Sequence, residues 1–123
     1  MTFNITWSPN GVYVKFRGAV VAHDLIDANN YVISNAEFES IEYQIFDFLD
    51  IDDFKISSYD INIIGAMDKS QTDFKKEMKV AVLTQNDYVR ELITEYDQIM
   101  SASNWDTKIF SDYETAKVWA QSK

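Results

Sequence analysis

The chain has 123 residues, 46% hydrophobic and 25% charged, with one Pro, three Gly and no Cys. That length allows roughly two-thirds of the unfolded surface to be buried around one core, so a single domain over 1–123 is expected; an aromatic content of 15% excludes disordered and collagen-like classes. Twenty acidic against eleven scattered basic residues give a net charge of −9, which disfavours nucleic acid and anionic membrane surfaces as partners.

Phe3-Asn4-Ile5-Thr6-Trp7 and Val12-Tyr13-Val14-Lys15-Phe16-Arg17 both alternate apolar and polar residues, and Ser8-Pro9-Asn10-Gly11 between them is a turn. Together they predict a β-hairpin. After Gly18 the period changes: Val21, Leu25, Ala28 and Val32 recur at helical spacing. Ile41 to Phe46 reads as a third strand. A polar, Asp-rich loop is expected from Asp47 to Lys55, followed by a helix starting near Ser57 or Ser58.

That second helix carries Ile63, Met67 and Phe74 on one stripe with Ile64 beside it, and Gly65 in its interior marks a weak point or a close packing contact. Lys79 to Leu83 is the fourth strand. Asn86-Asp87 opens a third helix with Tyr88, Leu92, Tyr96 and Ile99 along one stripe and Val89, Ile93 and Met100 beside it. Thr107 to Phe110 is a last strand. Ser111-Asp112-Tyr113-Glu114 has capping-box spacing before a final helix expected to bury Ala116 and Trp119.

The order ββαβαβαβα predicts an α/β fold with a mixed five-stranded sheet whose later strands are parallel. Glu42 and Gln44 alternate with Ile41, Tyr43 and Ile45, so one sheet face is expected to be well covered and the other partly open. Helices should therefore lie mainly on one face, unlike a doubly wound sheet.

The residue inventory argues against several chemistries. Without Cys there is neither a thiol nucleophile nor a thiolate metal site, and His23 alone cannot build a multi-His cluster. Neither a nucleophile-elbow motif nor a phosphate-cradling glycine loop occurs. No catalytic residue, cofactor or metal is expected. Asp47, Asp50, Asp52 and Asp53 form the one chemically dense stretch; without calcium-loop spacing they read as a solvated acidic interaction loop. Ser57, with Asp60 three residues on, reads as a helix cap, and Ser57 or Ser58 is the candidate phosphoacceptor at that helix start. The apolar runs Ala19–Ala22 and Ile63–Met67 are too short to span a bilayer, and Thr2–Trp7 lacks the features of a signal peptide, so a cytoplasmic location is expected.

The element order and the strand–acidic stretch–Ser–helix junction resemble the STAS fold of SpoIIAA-like anti-sigma-factor antagonists. More closely, the chain resembles small stand-alone bacterial SpoIIAA-like proteins, a group related to STAS and to the CRAL-TRIO lipid-binding fold. The matching stretches are Ile45-Phe46-Asp47-Phe48, Ala66-Met67-Asp68-Lys69, Met78 to Leu83, and Trp105 to Phe110 running into Ser111 through Trp119. Counted without gaps from Asp47, the family's Asp-Ser-Ser/Thr-Gly motif falls on Lys55-Ile56-Ser57-Ser58, so Ile stands where the resemblance would place the phosphorylated Ser.

The resemblance implies a non-enzymatic interaction or regulatory module. Its protein partner, or a second copy in a homodimer, would use the edge or open face of the sheet; aromatics outside the obvious core stripes, such as Tyr13 and Tyr59, point the same way. The alternative it implies is a carrier of a small apolar ligand or lipid, held between the second and third helices and the sheet.

Overall fold

The computed structural model describes residues 2–123. In chain order it contains β1 (Phe3–Ser8), β2 (Gly11–Val21), α1 (Ala22–Ser34), a 3₁₀ turn (Ala36–Ser40), β3 (Tyr43–Lys55), α2 (Ser58–Gln71), β4 (Glu77–Leu83), α3 (Asp87–Met100), β5 (Asn104–Phe110) and α4 (Tyr113–Gln121). The five strands lie side by side in sequence order. β1 is antiparallel to β2 and every later pairing is parallel. Crossovers of one hand that always step in the same direction bring their helices to the same side. Accordingly α1, α2 and α3 cover one face, and α4, which follows the last strand, covers part of the other. The expected mixed sheet with helices mainly on one face is what forms.

The core has two layers. Val14, Phe16, Phe46, Phe48, Val80 and Val82 point from the sheet toward α1–α3. Tyr43, Ile45, Ala81 and Leu83 point the other way and meet Ala116 and Ala120 of α4. The hairpin turns at Pro9-Asn10, and Gly11 is required beside it, because a Cβ there would lie 2.2 Å from the Tyr43 ring. Gly65 is the close contact of α2 with α3: a Cβ would meet Ile99 Cδ1 at 2.8 Å.

Several expectations are corrected. Asp47 to Lys55 is strand, not loop: it is the second half of β3, paired with Lys15 to Val21 of β2. Two register shifts break the period-2 pattern there, one beside Gly18 at φ +71°, and Asp is a poor strand former, so the alternation was concealed. The buried stripe of α2 is Ile61, Ile64, Gly65 and Asp68; the helix ends at Gln71, and Phe74 beyond it is 84% exposed. Val21 precedes α1 and is exposed, and Asn29 takes its place on the buried side of that helix. Asp112, one residue after Ser111, caps α4 by accepting from Thr115 N at 2.8 Å. Trp119 is half-buried, against Phe110, whereas Trp105 is buried and donates to Lys75 O at 2.8 Å.

Candidate functional site

The carboxyl-terminal rim of the sheet is organised around the start of α2. Ser57 has extended backbone angles, which turn its side chain back onto the first helical turn. Its Oγ accepts from Asp60 N at 3.2 Å, and Asp60 Oδ2 accepts from Ser57 N at 2.9 Å, so two amides left over by the helix start find partners. Ser57 Oγ also lies 2.9 Å from Asp60 Oδ2. Ser58 donates to the Glu95 carboxylate on α3. Tyr88, on the first turn of α3, donates to Ile56 O at 2.5 Å and packs edge-on against Phe54. Tyr59 stands out from the first turn of α2 and is 75% exposed. A phosphate on Ser57 or Ser58 would thus face the Asp60 or Glu95 carboxylate, which opposes a dianion.

The four acidic residues expected in a loop separate into Asp47 and Asp50, which share Lys15, and the exposed Asp52 and Asp53. Asp47 is buried on the α4 face, where its carboxylate accepts from Tyr13 Oη, from Lys15 Nζ at 3.1 Å and from Leu49 N at 2.9 Å. Lys15 also reaches Asp50 at 2.6 Å, so one ammonium joins Asp47 to Asp50 across the β2–β3 register shift. Burial opposes the Lys15 charge, but hydrogen bonds to Asp50 and Asp47 together outweigh it and raise its pKa. The same bond holds the Asp50 carboxyl below its ordinary value. Burial and then the hydrogen bond to Asp47 push the Tyr13 phenol up. Asp52 and Asp53 are exposed, with Asp53 accepting from Phe54 N at 2.8 Å. Among the described residues no three His, Cys, Asp or Glu side chains converge in a metal-holding arrangement. His23 is exposed, its Nε2 3.0 Å from Asp27.

Sequence reasoning missed a third cluster, between the sheet and the α1–α3 layer. Asp68 of α2 is 4% exposed; Asn29 Nδ2 of α1 donates to its Oδ1 at 2.9 Å, and Tyr96 Oη of α3 donates to its Oδ2 at 2.5 Å. One carboxylate thus ties three helices together. Burial pushes its pKa up to about 6, against the opposing pull of the two hydrogen bonds. These groups line a 40 Å³ cavity walled by apolar side chains, together with Gln44 from β3. The available signal was positional: Asp68 continues the helical spacing of Ile61, Ile64 and Gly65, placing a carboxylate on an apolar stripe.

The chain matches no family model and no curated protein sequence. Solved structures do resemble it. One is an uncharacterised DUF3478-family protein with a SpoIIAA-like fold from Shewanella loihica PV-4, with TM-score 0.57 and 18% identity over 96% of this chain and 91% of that one. Another is the anti-sigma factor antagonist SpoIIAA in its unphosphorylated form, with TM-score 0.57 and 11% identity over 94% of each chain. At these identities the likeness establishes the fold, which is SpoIIAA-like. Ile56, the position where gap-free counting places the phosphorylated Ser of STAS antagonists, is a buried side chain of the three-helix core.

Proposed function

We propose that this SpoIIAA-like domain is a non-enzymatic interaction module of STAS type that works in the cytoplasm and docks a protein partner on the rim at the start of α2. The observation that carries this reading is the exposed apolar surface there. Tyr59, Tyr88 and Val21 are all exposed large hydrophobic residues, and all three are anchored to the stretch from Phe54 to Tyr59. Val21 pairs with Lys55, Tyr88 bonds Ile56 and packs on Phe54, and Tyr59 projects beside the Ser57 cap. Clustered exposed apolar residues with a polar border are the usual mark of a protein-binding surface, and Tyr is prominent among residues that dominate binding energy.

The solved SpoIIAA is described as an anti-sigma factor antagonist, a role that supports the same kind of action here. A net charge of −9 favours a basic partner surface over nucleic acid. No helix among the described residues is long and apolar enough to cross a membrane. The carrier reading has no comparable support, since a 40 Å³ cavity has room for about one water molecule and none for an acyl chain.

Tyr59→Ser tests the proposal. Tyr59 is exposed, so the variant is expected to unfold in urea within about 0.5 kcal/mol of the parent. A protein that co-purifies stoichiometrically with the parent from its host should bind the variant roughly tenfold more weakly or worse by calorimetry. Light scattering on the purified chain distinguishes a second copy from a different partner. Equal binding of the partner by parent and Tyr59→Ser would overturn the assignment of this rim.

A further inference from the structure

β5 is the last strand of the sheet, and its outer edge is uncovered. Thr84 N donates to Phe110 O at 3.0 Å, so Phe110, Lys108 and Asp106 turn their backbone groups toward β4. The alternate residues Thr107 and Ile109 turn theirs away from the sheet, where no group among the described residues bonds them. Such an edge is a template for another strand. β1, the opposite edge, carries no charged residue that would fix a register. β5 does. Asp106 and Lys108 are exposed on the α4 face, one on each side of Thr107, and neither has an ion-pair partner among the described residues. Lys108 Nζ lies 5.8 Å from the centre of the Trp119 ring, which holds it on that face. Asp106 has Asp97 of α3 for a neighbour, whose pKa is raised by burial and then by the Asp106 charge.

We propose that two copies of this chain pair through β5, antiparallel about a two-fold axis at Thr107, so that Asp106 of each copy faces Lys108 of the other. The two sheets then continue as one. Thr107 and Ile109 use their outward backbone groups in the new ladder, and the Asp106–Lys108 pairs fall at the positions between, where facing side chains are closest. On the other face Trp105 lies opposite Ile109, an aromatic against a β-branched side chain, and Thr107 lies opposite itself. Centring the pair on Asp106 or on Lys108 instead would set like charges face to face, so the charges select one register. Beside the edge, Phe110, Val118 and Trp119 line an open apolar trough in which Val118 is 72% exposed. The two-fold axis brings the troughs of both copies to the same face of the joined sheet, where each helps shield the other from water.

Sedimentation equilibrium of the purified chain tests this, up to millimolar concentration. Physiological salt is used, so that repulsion between two chains of net charge −9 is screened beyond about 8 Å. A reversible dimer is expected. Asp106→Lys and Lys108→Asp each bring like charges together across the axis, and each should weaken association roughly tenfold or more. Both positions are exposed, so both variants should unfold in urea close to the parent. An equimolar mixture of the two should associate as the parent does, because each copy then meets the opposite charge, and the double variant should regain the parent's affinity. Tyr59→Ser, on the rim proposed for a different protein, should leave the dimer unchanged, which separates the two surfaces. A parent that stays monomeric, a dimer that survives either charge reversal, variants that fail to associate when mixed, or a dimer lost with Tyr59→Ser would each overturn the proposal.

Discussion

Asp47 and Asp68 are both buried, on opposite faces of one sheet, and they are stabilised in different ways. Asp47 has a cation, a phenol and a backbone amide. Asp68 has an amide and a phenol, both neutral. The difference follows from how each face is covered. On the α4 face the single helix leaves β2 partly open, so the Lys15 stem can lie on the sheet while its ammonium stays near water and still reaches Asp47. On the other face three helices seal the layer, and no long cationic side chain among the described residues reaches in. Burial raises the pKa of a carboxylate held only by neutral dipoles, as it does for Asp68.

That contrast can be broken at several points. The largest expected effect lies in packing, where the sealed face should outweigh the open one. Trp105→Ala should cost about 3–5 kcal/mol in urea unfolding, because a buried indole and its bond to Lys75 O are both lost. Trp119→Ala, half-buried on the α4 side, should cost about 1–2 kcal/mol, and equal losses would contradict the two-layer account. Next comes Lys15→Met, which keeps the stem but strips Asp47 of its cation. A destabilisation of about 3 kcal/mol is expected, measured by the same unfolding curves, and a neutral result would mean that Tyr13 and Leu49 N suffice.

The last effect has the opposite sign. The folded-state pKa of Asp68 is raised, from the usual 3.8 to about 6, so the folded protein holds that proton more tightly than the unfolded chain. This contribution favours folding below about pH 4 and is lost as pH climbs through 6. Asp68→Asn should accordingly be more stable than the parent by about 3 kcal/mol at neutral pH, and the two curves should converge toward pH 4. A variant less stable than the parent at neutral pH would show that Asp68 resembles Asp47 after all.

The parts of this molecule that were legible in the sequence are those set by near neighbours. The hairpin at Pro9-Asn10, the capping-box spacing of Ser57 and Asp60, and most of the apolar side of α3 all depend on residues within a turn or two, although Tyr88, placed on the main stripe, is exposed and the buried side of α3 runs through Val89, Leu92, Ile93, Tyr96 and Met100. Misreadings arose where a local rule met an exception. In α2 the apolar residues Ile63, Met67 and Phe74 offered a plausible stripe, while the true one contains a carboxylate that any hydrophobic count leaves out. In β3 the register shifts opposite β2 displaced the alternation within an Asp-rich stretch. The Asn29–Asp68–Tyr96 cluster lay beyond such reading, since its partners are 39 and 28 residues apart and meet only when three helices pack.

α4 is nine residues long and is held to its face of the sheet by buried Ala116 and Ala120, with half-buried Tyr113 against Tyr13 and Trp119 against Phe110. Its only fully buried side chains are alanines, against the buried Leu, Ile and Val side chains of the opposite layer. α4 is therefore expected to open from the sheet before α1–α3 do, which faster amide exchange in α4 than in α1–α3 would check. Such an opening would uncover Tyr43, Ile45, Ala81 and Leu83 and leave one side of the sheet bare.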